Sequence, residues 1–282
     1  MTSCNSNFDQ KRISVSVVIP CYRSSQTLWR AISSIKRQSV LPLEVLLVDD
    51  CSDDNDATYQ LFQEIKLDAE RHRLFDVVLL SLSVNSGPGC ARNLGWDAAR
   101  ADYIAFLDAD DSWHPLKLKI QYEFMISNKN IDLCAHGSVS KVGGESTLGI
   151  YDGHYPTKSV KLFPMLFKNN IATRTVMLKN NCKEKFHNLM RYAEDYDLWL
   201  RIIGSGGRVV YLDINLAYVY RSEWSSGGLS GNLWAMQVGE SKALFNLYRC
   251  KKISFPVLLI AEVFSWIKFL RRVFIKRVIG NE

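Results

Sequence analysis

The sequence predicts an α/β protein, a mostly parallel central sheet flanked by helices on both faces, with a C-terminal helical extension. Three observations carry that expectation. Short runs of β-branched and aliphatic residues alternate with segments of helical periodicity about 10–15 residues long, the pattern of repeated β-α-β units. The first of these runs is rich in β-branched residues, as a buried parallel strand is. Two of them end directly on acidic residues, and sites in open parallel sheets lie at the carboxyl ends of the strands.

Residues 14–19 (SVSVVI) form the first run and stop at Pro20. Residues 25–38 then place Leu28, Ala31, Ile32 and Ile35 on one helical face, and residues 44–48 (EVLLV) read as a second strand. The alternation continues with a helix over 53–70, a strand over 77–82, a helix over 88–100 and a strand over 103–107. Pro115 suits the first turn of a helix running to Ser127, ahead of a strand near 131–138 and a turn at Gly143-Gly144. A strand near 173–179, a helix over 194–203 and short strands over 208–212 and 216–220 follow. No internal repeat is evident.

The composition, 47% hydrophobic and 23% charged, is that of a globular chain, and 282 residues suffice for one large doubly wound domain. A net charge of +6 invites a nucleic-acid partner, but from Lys251 onward seven basic residues face two acids, so +5 of it sits in the tail. The body is near neutral, and no nucleic acid is expected. Seven scattered cysteines form no C-x-x-C pair, and residues 1–13 are polar without the apolar core of a secretory signal, which together point to the cytoplasm. The five histidines show no metal-ligand spacing.

Three acidic clusters stand where chemistry is expected. Asp49-Asp50 follows EVLLV, where a carboxylate either accepts hydrogen bonds from a nucleoside or caps the next helix. Asp108-Ala109-Asp110-Asp111 follows YIAFL and offers hard oxygen ligands to Mg²⁺ or Mn²⁺, ions usually shared with substrate phosphates. Glu194-Asp195 opens an amphipathic helix, where the acids favour the helix dipole or supply a general base. Arg174, ahead of the TVML run, either meets a phosphate or is solvated. Cys21, Cys51 and Cys90 have no adjacent His partner and read as small packed side chains.

Taken together, SVVIPCYRS (16–24), LLVDDCSDD (46–54), NSGPGCARNLG (85–95), YIAFLDADD (103–111) and RYAEDYDLWLRI (191–202) resemble, in order, the signature blocks of glycosyltransferase family 2. The resemblance implies the A-type (GT-A) nucleotide-diphospho-sugar transferase fold. It assigns Pro20, Tyr22, Asp50 and Arg92 to the donor nucleotide, Asp108 to ribose and metal, Asp110 to the metal directly, and Asp195 to the catalytic base. Glu194, Trp199 and Arg221 fall on the acceptor and lid side, although Trp199 and Leu198 also suit the core of their helix. The implied reaction is a metal-dependent, inverting, single displacement, with Mn²⁺ or Mg²⁺ as cofactor and a nucleotide-diphosphate sugar, UDP-sugar favoured, as donor. One departure stands out: Tyr220-Arg221-Ser222 is followed by Glu223 where many members carry a histidine, ahead of a lid-like SSGGLSG (225–231).

The implied organisation is a polar leader (1–13), a catalytic domain (14–231) divided into a nucleotide-sugar part (14–111) and an acceptor part (112–231), and a basic C-terminal segment (232–282). In that segment Lys268, Arg271, Arg272 and Lys276 gather on one helical side, and Trp266, Leu270, Val273 and Phe274 on the other. That is the pattern of a helix lying in an anionic membrane interface, while Pro256, Glu262 and Lys268 interrupt any spanning stretch. A saccharide acceptor on a polyprenyl diphosphate at the inner face of the cytoplasmic membrane follows, in O-antigen or capsule assembly. Of the rivals, a dinucleotide oxidoreductase needs G-x-G-x-x-G after the first strand, where Pro20-Cys21-Tyr22 stands. A nucleotidyltransferase needs a glycine- and lysine-rich phosphate loop there. A non-catalytic scaffold would tolerate loss of Asp110 and Asp195.

Overall fold

The computed structural model describes residues 11–141, 154–220 and 231–279. Its first half follows the expected alternation: β1 (Arg12–Cys21), α1 (Leu28–Lys36), β2 (Leu41–Asp49), α2 (Ala57–Arg71), β3 (Asp76–Ser81), α3 (Pro88–Ala98) and β4 (Tyr103–Phe106). These strands pair in parallel in the order β3-β2-β1-β4. Because the chain leaves β1 toward β2 on one side and returns to β4 on the other, a crevice opens at the carboxyl ends of β1 and β4, where ligands of such sheets bind.

The second half adds β5 (Ser112–Trp113), α4 (Lys117–Ser127), β6 (Leu133–Ser140), β7 (Thr157–Val160), α5 (Leu162–Phe167), β8 (Met177–Lys179), α6 (Glu194–Gly204) and β9 (Val209–Val219). Here the sheet becomes mixed. β8 runs antiparallel between β4 and β6, β9 is parallel to β6, and β5 and β7 are antiparallel to β9. The strand expected near 173–179 is a 3-10 turn, Thr173–Thr175, followed by the three residues of β8, and the two short strands expected over 208–220 are the single β9. The turn expected at Gly143-Gly144 lies outside the described residues.

Both faces of β1, β2 and β4 are largely buried, as their mainly apolar runs require, whereas β3 at the sheet edge is only half-buried. In β1, Val15, Val17 and Ile19 pack with the apolar sides of α1 and α2, whereas Val18 joins Trp96, Phe106 and Trp199 on the opposite face. A Cβ added at Gly95 would come within 2.5 Å of Val18 Cγ1, so the missing side chain lets α3 lie directly on the sheet. That close approach fixes the height of Arg92, one turn earlier on α3, above the strand ends.

The C-terminal extension is two helices, α7 (Leu233–Arg249) and α8 (Phe255–Ile279). α7 shares the core through Ala243, Leu244 and Leu247, and Asn246 donates to buried Asp197 of α6 at 2.9 Å. Lys268 and Arg272 of α8 turn onto Glu240 of α7, at 3.5 and 2.9 Å. Three of the four basic side chains read from the sequence therefore contact protein, Lys276 donating to the Gly231 carbonyl at 3.2 Å, and Arg271 is exposed. The outward side of α8 is mostly apolar: Leu259, Ile260, Val263, Ile267, Leu270 and Phe274 are all exposed, with Arg271 among them. Among the described residues no helix is long and apolar enough to cross a membrane.

Candidate active site

At the end of β4 the chain turns sharply, the Asp111 amide donating to the Asp108 carbonyl at 3.1 Å, before β5 ties it to β9. This gathers the carboxylates of Asp108, Asp110 and Asp111 at the switch-point crevice, with Asp111 only 3% exposed. Arg92 reaches in from α3, its Nη2 2.7 Å from Asp108 Oδ1 and its Nη1 2.9 Å from Glu194 Oε1. The guanidinium lies 5.5 Å from the Phe186 ring centroid and is almost wholly buried. One side chain thus joins the acidic end of β4 to the acidic start of α6.

Glu194, Asp195 and Asp197 occupy the first turn of α6, where the helix dipole favours negative charge. Ala193, directly before them, is held in the left-handed region at φ 54°, a strained conformation for a residue with a Cβ. Asp195 is fixed at both oxygens: Oδ1 accepts from the Tyr196 amide at 2.7 Å and Oδ2 from Thr173 Oγ1 at 3.1 Å. The next residue, Arg174, brings Nη1 to 3.3 Å from Asp111 Oδ2 and 3.9 Å from Asp108 Oδ2. Arg30, from α1, donates to the Asp110 carbonyl at 2.6 Å and stacks on Tyr220, 4.0 Å from the ring centroid.

Five carboxylates therefore meet three guanidiniums, an excess of two negative charges when every acid is ionised. Burial raises Asp111 to about 7 against the pull of Arg174. Burial and the charge of Asp195 raise Glu194 to about 7 against Arg92, and burial also raises Asp195. Carboxylate oxygens without His or Cys suit Mg²⁺ or Mn²⁺, which draws its remaining ligands from phosphates and water. Among the described residues no group of three or more His, Cys, Asp or Glu side chains is placed to hold a metal ion.

The residues assigned to the donor nucleotide do not all face the crevice. Tyr22 is exposed after β1, its hydroxyl donating to Asp53 at 3.1 Å, and Pro20 is half-buried at the strand end. Asp50 is buried and spends both carboxylate oxygens on the amides of Ser86 and Gly87, at 2.7 and 2.8 Å, which holds the loop leading into α3. Arg92 is committed to Asp108 and Glu194 rather than to an open base pocket.

Two residues assigned to the acceptor side lie inside the fold. Trp199 is fully buried, packed edge-to-face against Phe186, because α6 is covered on nearly all sides. Glu194 is 7% exposed and paired with Arg92. Leu198 is core, as its helical position suggests. Arg221 and most of the lid-like segment lie outside the described residues. Cys21 is buried and Cys90 half-buried, and burial raises both thiols, which leaves neither activated. Thr173, Arg30 and Phe186 carry no motif that announces them.

Comparisons with known proteins give a family and a fold. The model of the family described as Glycosyl transferase family 2 matches residues 16–180. The chain is 32% identical over 190 residues to the UDP-Glc:alpha-D-GlcNAc-diphosphoundecaprenol beta-1,3-glucosyltransferase WfgD of Escherichia coli, covering 67% of this chain and 69% of WfgD. It is 30% identical over 221 residues to the amylovoran biosynthesis glycosyltransferase AmsB of Erwinia amylovora, covering 73% and 69%. In fold it is similar to S. aureus TarS 1-349 solved with UDP-GlcNAc, with a TM-score of 0.62 and 20% identity, covering 82% of this chain and 66% of TarS 1-349.

Proposed function

We propose, for a chain that belongs to glycosyl transferase family 2 and is by that membership a glycosyltransferase, that it moves a sugar from a nucleotide diphosphate to a lipid-linked saccharide with inversion. The observation that carries this reading is Arg92, one buried guanidinium binding Asp108 on the donor side and Glu194 beside Asp195. Donor and acceptor chemistry are thereby locked at one spacing.

The nucleoside rests on Tyr22 and Pro20 at the end of β1, with Asp50 holding the adjoining loop and Arg92 setting Asp108 toward the ribose. Asp110, with Asp108, holds Mn²⁺ or Mg²⁺, which when bound offsets charge on the departing diphosphate. Asp195, fixed by Thr173 and the Tyr196 amide, takes the acceptor hydroxyl proton as that oxygen attacks the anomeric carbon. The bond from that carbon to the diphosphate breaks in the same step, its electron pair leaving with the nucleotide, and no covalent enzyme intermediate forms.

A UDP-sugar donor and a polyprenyl-diphosphate-linked acceptor are favoured by the name of WfgD, and surface-polysaccharide assembly by those of WfgD and AmsB. Residues 14–231 form the catalytic domain in this reading, and residues 232–282 bring it to the inner face of the cytoplasmic membrane. The exposed apolar side of α8 supports that role, with Arg249, Lys251 and Lys252 outward at the α7–α8 turn.

The test is a panel of UDP-, dTDP- and GDP-sugars assayed with a polyprenyl-diphosphate saccharide, with and without chelator. Asp110→Ala and Asp195→Asn are each expected to lower turnover by about a hundredfold or more. Turnover indifferent to chelation would remove the metal, and full activity of Asp195→Asn would remove the base.

A further inference from the structure

The three arginines around the acidic cluster are not equally engaged. Arg92 spends two terminal nitrogens at 2.7 and 2.9 Å, and Arg30 holds a carbonyl at 2.6 Å while stacked on Tyr220. Arg174 does neither. Its Nη1 stands 3.3 and 3.9 Å from Asp111 and Asp108, longer than charge-assisted hydrogen bonds usually run, while its Nε, like that of Arg92 and Arg30, is buried without an acceptor.

The backbone beneath this loose side chain is fixed. Trp113 Nε1 donates to the Arg174 carbonyl at 2.8 Å, and the Trp113 ring is itself covered by Lys117 Nζ, 3.7 Å from its centroid. Thr173, on the same 3-10 turn, is tied to Asp195. A partly exposed guanidinium with unspent donors, on a rigid anchor beside the end of β4, has the chemistry of an anion clamp. Its planar fork matches two oxygens of a phosphate.

We infer that Arg174 binds the diphosphate of the donor nucleotide, resting on Asp111 and Asp108 in the nucleotide-free protein and turning its donors to phosphate oxygens when the nucleotide enters. The inference rests on the reading that the donor is a nucleotide-diphosphate sugar. Leaving group and candidate base would then be held by one three-residue turn, the diphosphate by Arg174 and Asp195 by Thr173.

Calorimetric titration of UDP, dTDP and GDP, each against its monophosphate, tests this on the full chain, Arg174→Ala and Arg174→Lys, with Mn²⁺ and with chelator. In Arg174→Ala the diphosphate should bind roughly tenfold more weakly while the monophosphate changes less than about twofold, and Arg174→Lys should recover part of the loss. An unchanged preference for diphosphate in Arg174→Ala overturns the inference. Equal weakening of both nucleotides also overturns it, because that is the signature of a structural role. Failure of the parent chain to bind any of the diphosphates removes the donor reading itself, an outcome seen without the variants.

Discussion

Arg92 is buried between two acids from different elements, and breaking such an arrangement from one side leaves uncompensated charge, at about 3–5 kcal/mol. Arg92→Met is expected to lose stability on that scale. Glu194→Gln should lose much less, because the glutamine carbonyl still accepts from Arg92 and the native acid is already raised to about 7. Urea unfolding at neutral pH separates the two, and equal losses would mean that Arg92 is held by packing alone. Lys117 provides a pH test away from the crevice. Burial lowers its ammonium to about 7, with the Trp113 ring as its neighbour and no acceptor for Nζ. The unfolded chain protonates this amine near its ordinary value of about 10.4. The folded chain does so only near 7, so Lys117 opposes folding increasingly as pH falls from about 10 to about 7, and constantly below. Lys117→Met should therefore stabilise by about 1–3 kcal/mol at pH 7 and gain little near pH 10, as denaturant midpoints at the two pH values would show. The sequence made the acids and Arg92 legible because they sit in ordered blocks at strand ends and a helix start. Thr173 and Arg30 were not legible: their contacts with Asp195 and Asp110 cross 22 and 80 residues without any pattern to mark them.

Helix α3 sets the position of Arg92, and it does so by lying flat on β1. At Gly95 an added Cβ would meet Val18 Cγ1 at 2.5 Å and Val48 Cγ2 at 3.0 Å, with no flexible side-chain end to yield. Overpacking of this kind costs about 1–3 kcal/mol, against a gain of about 1 kcal/mol from the better helix propensity of alanine. Gly95→Ala is accordingly expected to lower the melting temperature and, by lifting α3, to lower turnover as well. A variant with parental turnover would detach Arg92 placement from this contact. The same packing explains why the first half of the fold could be read from sequence. Strands buried on both faces must be apolar runs, and helices on a sheet must show one apolar face. The second half lacks that constraint. β7 is a largely exposed edge strand with no apolar run, and β5 is two residues long. Burial of Asp111 depends on β5 pairing with β9, so its pairing with Arg174 was hidden with the strand.

Across the whole molecule, charge and apolar surface are distributed differently from what helical periodicity alone implies. Lys268 and Arg272 are drawn onto Glu240, while Leu258, Ala261 and Phe269 cover the core, so α8 is part of the folded body and deletion of residues 256–282 would expose apolar surface on α7. Point substitutions therefore test membrane docking more cleanly than truncation. Between Leu259 and Phe274 six apolar side chains are more than half exposed. Full burial of each is worth about 1.5–3 kcal/mol, and a basic residue near an anionic surface about 1 kcal/mol. Even at half immersion the apolar term outweighs the cations at the α7–α8 turn. Flotation with phosphatidylglycerol vesicles should then survive salt concentrations that screen surface charge, be abolished by Ile267→Glu, and only weaken in Lys251→Glu with Lys252→Glu. Release by salt with Ile267→Glu still floating would make the attachment electrostatic and leave the apolar side of α8 for another partner.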